Sequence, residues 1–337
     1  MQLYNSFRYN KIIYNLNETT YTNSNRLILS SNDGVLNNNN ELPIIIMGDK
    51  TVNITSDITP SNRCCGIFII SQKDIIVDAT INMTNRGCPG RKNLSIDFNK
   101  LFKNQYGVNI NLNDDDHHFL NPKLFDKPNM PNYITVFEKK IMWQKNFSAS
   151  TGGRGPSYYQ AKTVGAWGNK PVGAGAGGRG TIFSGGSGGT AGSNAEDAGG
   201  AGGSGATVNT DCGARRFSGG AGNPGGAGPN AGGTGTGGSI FLIAKKNIII
   251  NGTLRSNGAN GGNGYIGSCQ GLVTFTQQGF AGGGAGGGYI FLAFGGKLEI
   301  KGTINNTGGS PGAYTMDAQP GGTGLIHKFN INSGLFT

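Results

Sequence analysis

The sequence predicts an all-β fold: a β-sheet or solenoid-like N-terminal part leading into a polyglycine II helix sandwich framed by β repeats. Three observations predict it. Of the 62 glycines, 55 lie between Gly152 and Gly324. Within that stretch glycine recurs every third residue. An apolar segment occurs three times along the chain.

The glycine comes first. One residue in three over 173 positions, where about 7% is ordinary, leaves too few side chains for a usual core. Either the segment is disordered or its backbone does the packing. From Gly199 the chain reads GGAGGSG, and from Gly219 it reads GGAGNPGGAGPNAGGTGTGG. A period of three is that of polyproline II, which makes no internal hydrogen bonds. Its N–H and C=O groups must bond water or a neighbouring chain. Faces without Cβ atoms let such neighbours approach, so lateral stacking is expected.

Three other readings compete. Collagen needs a strict Gly-X-Y frame rich in proline; here the frame slips, and Pro156, Pro171, Pro224, Pro229, Pro311 and Pro320 are the prolines of the segment. A flexible linker sits poorly with the apolar stretches that interrupt it. Gly173–Gly178 spells a formal G-x-G-x-x-G. No strand precedes it and no acidic residue stands at the right distance for nucleotide binding.

The repeats come next. Gly66 begins GIFIISQKDIIVDATINMTNRG, Ser239 begins SIFLIAKKNIIINGTLRSNG, and Tyr289 begins YIFLAFGGKLEIKGTINNTGG. The first Ile and the Thr are thirteen residues apart in each: Ile67 to Thr80, Ile240 to Thr253, Ile290 to Thr303. Identical spacing in three copies marks an internal repeat. Each copy reads as two short strands joined by a polar turn, since β-branched and aromatic residues dominate both halves. Earlier strands are expected near Arg26–Ser30, Pro43–Met47 and Val52–Thr55. Together they could form one sheet or successive solenoid layers.

These divisions give an N-terminal β region over residues 1–94, an irregular insertion over 95–151 and a glycine-rich domain over 152–337. The insertion has few glycines, with one short helix expected in Phe98–Tyr106. It carries Asn113, Asp114, Asp115, Asp116, His117 and His118 in a row. That run fits neither an EF-hand loop nor a zincin helix, and a solvated acidic loop is expected rather than a metal site. Pro122, Pro128 and Pro131 follow it.

Charge narrows the partners. The formal net charge is +10. Residues 151–337 carry 12 Lys and Arg against five Asp and Glu; residues 1–150 carry 16 against 13. Basic surfaces attract nucleic acid, anionic lipid or acidic polysaccharide. No basic run exceeds two residues, so neither a nucleic-acid footprint nor nucleic acid as a partner is expected. No apolar stretch approaches a bilayer span, and the first residues lack a secretory signal. No membrane insertion is expected, and the chain is expected to assemble in a cytoplasm. Cys64, Cys65, Cys88, Cys212 and Cys269 show no C-x-x-C spacing, and reduced, packed thiols are expected.

Catalysis finds little support. The histidines are His117, His118 and His327, and no nucleophile-and-base arrangement can be assembled. The acids of the C-terminal half are Glu196, Asp197, Asp211, Glu299 and Asp317. No carboxylate pair for a glycosidase stands out. No enzyme activity and no cofactor are expected.

The stretches between glycine runs are chemically richer. Residues 156–171 hold Tyr158, Tyr159 and Trp167. Residues 206–218 hold Arg215, Arg216 and Phe217. Residues 265–280 hold Tyr265, Phe275, Gln277, Gln278 and Phe280. Residues 313–320 hold Tyr314. If glycine segments run back and forth, these stretches become the turns at their ends, and turns on a rigid scaffold are where binding residues sit. Aromatics beside Arg and Gln suit sugar stacking and hydroxyl recognition. Alternatively the aromatics seal the open end of the stack.

With period-three runs at Gly199–Gly205, Gly219–Gly238 and Gly282–Gly288, the chain resembles the glycine-rich tail-fibre tip adhesins of bacteriophages. The segments Ile44–Asp49 and Val52–Ile54 and the I-F-[IL] repeats look more like β-solenoid layers of viral fibres and spikes. The resemblance covers about half the chain. It implies a virion protein whose N-terminal region attaches to other virion proteins and whose glycine-rich end binds a host cell-surface glycan or protein without catalysis. It makes Tyr158, Tyr159, Trp167, Arg215, Phe217, Tyr265, Phe275, Phe280 and Tyr314 the receptor-contact candidates. A homo-oligomer is possible. The alternatives are a purely structural capsid or baseplate component, and a β-solenoid depolymerase acting on acidic polysaccharide.

Overall fold

The computed structural model describes residues 12–16, 20–21, 43–60, 63–88, 93–103, 107–111, 133–144, 147–154, 178–189, 207–208, 217–218, 235–262, 266–269, 275–278, 282–313 and 318–337. The chain opens with β1 (Ile12–Leu16), β2 (Thr20–Tyr21), β3 (Ile44–Gly48), β4 (Val52–Ile54), β5 (Ile67–Ser71), β6 (Ile75–Val77) and β7 (Thr80–Asn82). An excursion supplies β8 (Asn93–Asp97), helix α1 (Phe98–Leu101), β9 (Val108–Asn111), β10 (Ile134–Phe137) and β11 (Lys140–Trp143). Then come β12 (Thr207–Val208), β13 (Phe217–Ser218), β14 (Ser239–Ala244), β15 (Ile248–Ile250), β16 (Thr253–Arg255), β17 (Ile266–Cys269) and β18 (Phe275–Gln278). The last elements are β19 (Tyr289–Phe294), β20 (Leu298–Ile300), β21 (Thr303–Asn305), β22 (Leu325–Asn330) and β23 (Leu335–Phe336).

The three repeats pair with one another, strand for strand. β5, β14 and β19 lie parallel, with Ile67, Ile240 and Ile290 in register. β6, β15 and β20 align Ile75, Ile248 and Leu298. β7, β16 and β21 align Thr80, Thr253 and Thr303. Each copy therefore makes three strands, not two. A second corner, at Asn251 and Gly252 or Lys301 and Gly302, splits the longer half. Side chains at the corners bond from copy to copy. Asn247 Nδ2 donates to Asp74 Oδ1 at 2.8 Å, and Lys297 N donates to Asn247 Oδ1 at 2.7 Å.

The largest sheet runs β1-β3-β5-β14-β19-β22-β23; a second and a third built from the repeats run β2-β4-β6-β15-β20 and β21-β16-β7. β14 and β19 are buried on both faces, as parallel strands covered on both sides must be. Ile240, Leu242, Ile290 and Leu292 point into a core shared with the second and third sheets. Phe241, Tyr289 and Phe291 point the other way, against β8–β11 and Trp143. Cys65 and Cys88, flanking the first repeat, form a disulfide, contrary to the expectation of reduced thiols.

This architecture corrects the expected fold class. The described residues are mostly β in largely parallel, open sheets, a topology of the α/β kind with helix confined to Phe98–Leu101. No solenoid and no closed sheet is present among them, and a polyglycine II sandwich is not the organising unit. The physical reason is how the repeats satisfy their backbones. They do not frame a separate body; each copy completes its hydrogen bonds on the next copy's strands. Nor does the chain wind from layer to layer. Between Asn82 and Ser239 it leaves to build the antiparallel sheet β10-β11-β8-β9. Arg26–Ser30 lies outside the described residues.

The described glycine segments are connections packed beside those sheets. Residues 282–288, which feed β19, show how. Gly282, Ala285 and Gly288 donate their N–H groups to Gly262, Ala259 and Ser256; Gly283 and Gly286 to Gly189 and Gly186; Gly284 and Gly287 to Gln319 and Gly322. All seven are 2.7–3.0 Å long. Carbonyls of the same segment accept from Gly312, Gly153, Gly309 and Gly237. Donors thus rotate among three neighbours, residue by residue, and acceptors reach three more.

Contact this close excludes side chains. A Cβ on Gly287 would fall on the Asn306 carbonyl oxygen, whereas one on Gly322 would stand 3.1–3.4 Å from Thr151. Gly287→Ala should cost about 3 kcal/mol or more, at the upper end for overpacking a filled interior. Gly322→Ala should cost well under half of that. Urea midpoints of the two variants check the difference.

A buried polar relay ties the C-terminal strand to the excursion. Trp143 Nε1 donates to the Tyr289 hydroxyl at 3.1 Å, and that hydroxyl lies 3.0 Å from His327 Nδ1. The hydroxyl oxygen accepts from Trp143, and its role towards Nδ1, as donor or acceptor, follows the imidazole tautomer. Phe147 and Phe336 pack on the ring. Burial lowers its pKa from 6.5 to about 4. The neutral form is favoured in the fold, so stability is complete above pH 6.5 and is lost as pH falls from 6.5 towards 4. The loss is on the order of 2–3 kcal/mol after allowance for partial exposure. His327→Gln keeps an acceptor but cannot ionise. Its urea midpoint should fall less than that of the unsubstituted chain between pH 6.5 and 4.

Candidate functional site

The glycine bundle has two unlike ends. At one, Gly238, Gly288 and Gly324 run directly into β14, β19 and β22. At the other stand Arg154, Gly189, Gly262, Gly282, Ala313 and Ala318, while Gly178 and Gly235 lie part-way along the bundle, bonded to Ser187 and Ala259. Backbone bonds hold this second end together: Gly282 N to Gly262 O at 2.8 Å, Gly312 N to Gly282 O at 3.1 Å, Gln319 N to Arg154 O at 2.9 Å and Gly189 N to Gly153 O at 2.8 Å.

Residues 263–281 and 314–317 leave from this end and return to it, and residues 155–177 and 190–234 leave from it and return part-way along the bundle. Residues 155–177 join Arg154 to Gly178, residues 190–234 join Gly189 to Gly235, residues 263–281 join Gly262 to Gly282, and residues 314–317 join Ala313 to Ala318. Tyr158, Tyr159, Trp167, Arg215, Tyr265, Phe280 and Tyr314 lie outside the described residues, but the stretch carrying each starts at this end. Phe217 and Phe275 fall in described strands. Phe217 pairs with Val208 across β12 and β13, and Phe275 pairs with Cys269 across β17 and β18. β12 lies beside β17, so these two ribbons from separate stretches are neighbours. Exposed Arg154 gives the described rim a positive charge.

The rim offers little for bond-breaking chemistry among the described residues. No group of three or more His, Cys, Asp or Glu is placed to hold a metal ion there. The Asp114–His118 run lies outside them. Glu299 is the one described acid of residues 151–337; it sits on β20, its carboxylate 3.4 Å from Lys301 Nζ.

A second concavity went unread in the sequence. Asp97, Asn99, Phe137, Glu138, Lys139, Lys140 and Met142 line a half-open cavity of about 330 Å³ at the β10–β11 turn. Glu138 has φ +51°, a conformation usually left to Gly, Asn or Asp in such turns. Neither glycine nor asparagine marks the turn, so no local signal was available. Asp97 is already engaged, its Oδ1 accepting from Lys100 N at 3.1 Å as the cap of α1. The cavity therefore lacks a free carboxylate pair.

No family model, no curated protein and no solved structure matches this chain.

Proposed function

We propose that the protein is a virion adhesin of the tail-fibre or spike kind. It binds a host cell-surface glycan or protein through the stretches anchored at the open end of the glycine bundle, and it catalyses no reaction. The single observation that carries this reading is the convergence of six chain ends at one end of a backbone-bonded bundle. A segment held at both ends on a scaffold loses less entropy on binding than free chain does. The anchored residues are of the right chemistry: Tyr158, Tyr159, Trp167, Tyr265, Phe275, Phe280 and Tyr314 for stacking on sugar faces, Arg215 for hydrogen bonding, and Phe217 beside it. The N-terminal region attaches to other virion proteins.

Fluorescently labelled protein applied to intact host cells and to an array of surface glycans tests the proposal. Trp167→Ala with Phe275→Ala should reduce binding at least tenfold while the melting temperature stays unchanged. Equal binding by this variant, or no binding by the unsubstituted protein, overturns it; the second result favours a component buried within the particle. Release of reducing ends from host polysaccharide would replace the adhesin with a depolymerase.

A further inference from the structure

At the end of the large sheet remote from the glycine bundle, the chain turns four times into the second sheet. These corners stack directly. Their residues are Asp49 and Lys50, Gln72 and Lys73, Lys245 and Lys246, and Gly295 to Lys297. Backbone bonds fix them in line: Gln72 N to Gly48 O at 3.0 Å, Lys245 N to Ser71 O at 3.0 Å, Lys246 N to Lys73 O at 2.9 Å and Gly296 N to Lys246 O at 2.7 Å. Lys50, Lys73, Lys245, Lys246 and Lys297 are all exposed, and none pairs with a carboxylate among the described residues. The carboxylates nearby are Asp49, Asp74 and Glu299. Asp74 accepts from Asn247 and lies 3.5 Å from Thr51 Oγ1; Glu299 is paired with Lys301.

We propose that this ridge binds a linear anionic polysaccharide, bearing carboxylate or sulfate groups, laid along the stacking direction. Neighbouring corners are separated by the strand spacing of about 4.8 Å, so the row extends about 14 Å in a straight line. Lys50, Lys73 and Lys246 hold the same position in successive corners, Gly296 holds it in the fourth with Lys297 next to it, and this stacked set of ammonium groups matches a polymer whose charges recur along an extended chain. The arrangement disfavours other polyanions. Single-stranded nucleic acid is held by aromatic stacking platforms, and no aromatic side chain belongs to the four corners. An interfacial membrane site pairs its cations with an apolar face, and no apolar side chain belongs to them either. This site is separate from the rim of the glycine bundle.

The test measures binding of the full chain to polygalacturonate and to heparin by calorimetry at low and at physiological salt. The variant Lys73→Gln, Lys245→Gln, Lys246→Gln, Lys297→Gln removes four ridge charges. A charge-matched control, Lys139→Gln, Lys140→Gln, Arg255→Gln, Lys301→Gln, removes four elsewhere. We expect at least one of the two polymers to bind, a tenfold or greater loss for the ridge variant, and less than threefold for the control. A response confined to polygalacturonate or to heparin identifies carboxylate or sulfate as the group read. Equal loss in both variants, no binding of either polymer, or tighter binding of single-stranded DNA or of phosphatidylserine vesicles overturns the proposal.

Discussion

The backbone hydrogen bonds that join neighbouring segments, strand to strand in the parallel sheets and glycine to glycine beside them, are the constraint on which the rest of the molecule depends. An extended chain of this kind bonds nothing within itself. Buried without partners, each of its N–H and C=O groups would cost on the order of 1–3 kcal/mol. Residues 282–288 escape that cost because every N–H has a partner on a neighbouring segment. Glycine is what permits it: a Cβ on Gly283, Gly284, Gly286, Gly287 or Gly288 would meet a neighbour's backbone or a serine hydroxyl. Glycine also loses more backbone freedom on folding than any other residue. The arrangement therefore persists only as a collective, with each segment supplying partners to several others.

The sheets make that collective possible. β14, β19 and β22 lie parallel and in register, which aligns the glycine segments feeding them. Their Phe and Ile side chains supply the apolar burial that the bundle lacks. Phe68 and Phe241 stack at 4.3 Å between ring centroids, and Trp143 packs edge-on against Phe291 at 5.0 Å. A side-chain core thus sets the spacing, and a layer without side chains carries the order outward to its far rim. The ridge of lysines and the rim of the bundle stand at opposite ends of the same strands, so the two proposed sites do not overlap.

Much of the sheet pairing was legible. The thirteen-residue interval from Ile67 to Thr80, from Ile240 to Thr253 and from Ile290 to Thr303 is the register in which those strands align. The third strand of each copy was not legible. Leu298, Ile300 and Ile304 keep the same parity through the corner at Lys301 and Gly302, so a period-two reading passes over the bend. The architecture was misread as a solenoid with a separate glycine body because pairing between copies 173 and 50 residues apart leaves no local trace. The Cys65–Cys88 disulfide and the Trp143–Tyr289–His327 relay escaped for the same reason, since the tertiary fold alone brings those residues together. The lysine ridge was visible only as the pair Lys245 and Lys246; stacking of four corners turns scattered residues into a row. The candidate contact stretches were picked out by composition, but their common anchorage follows from the direction in which each glycine segment enters its strand.

Amide hydrogen exchange across residues 282–288 is the most direct measurement of the central claim. If neighbouring backbones bond these residues, their amides should exchange as slowly as those of β14 and β19, within a few fold and over hours. Exchange at the rate of an unstructured peptide, while β14 and β19 stay protected, would contradict the account.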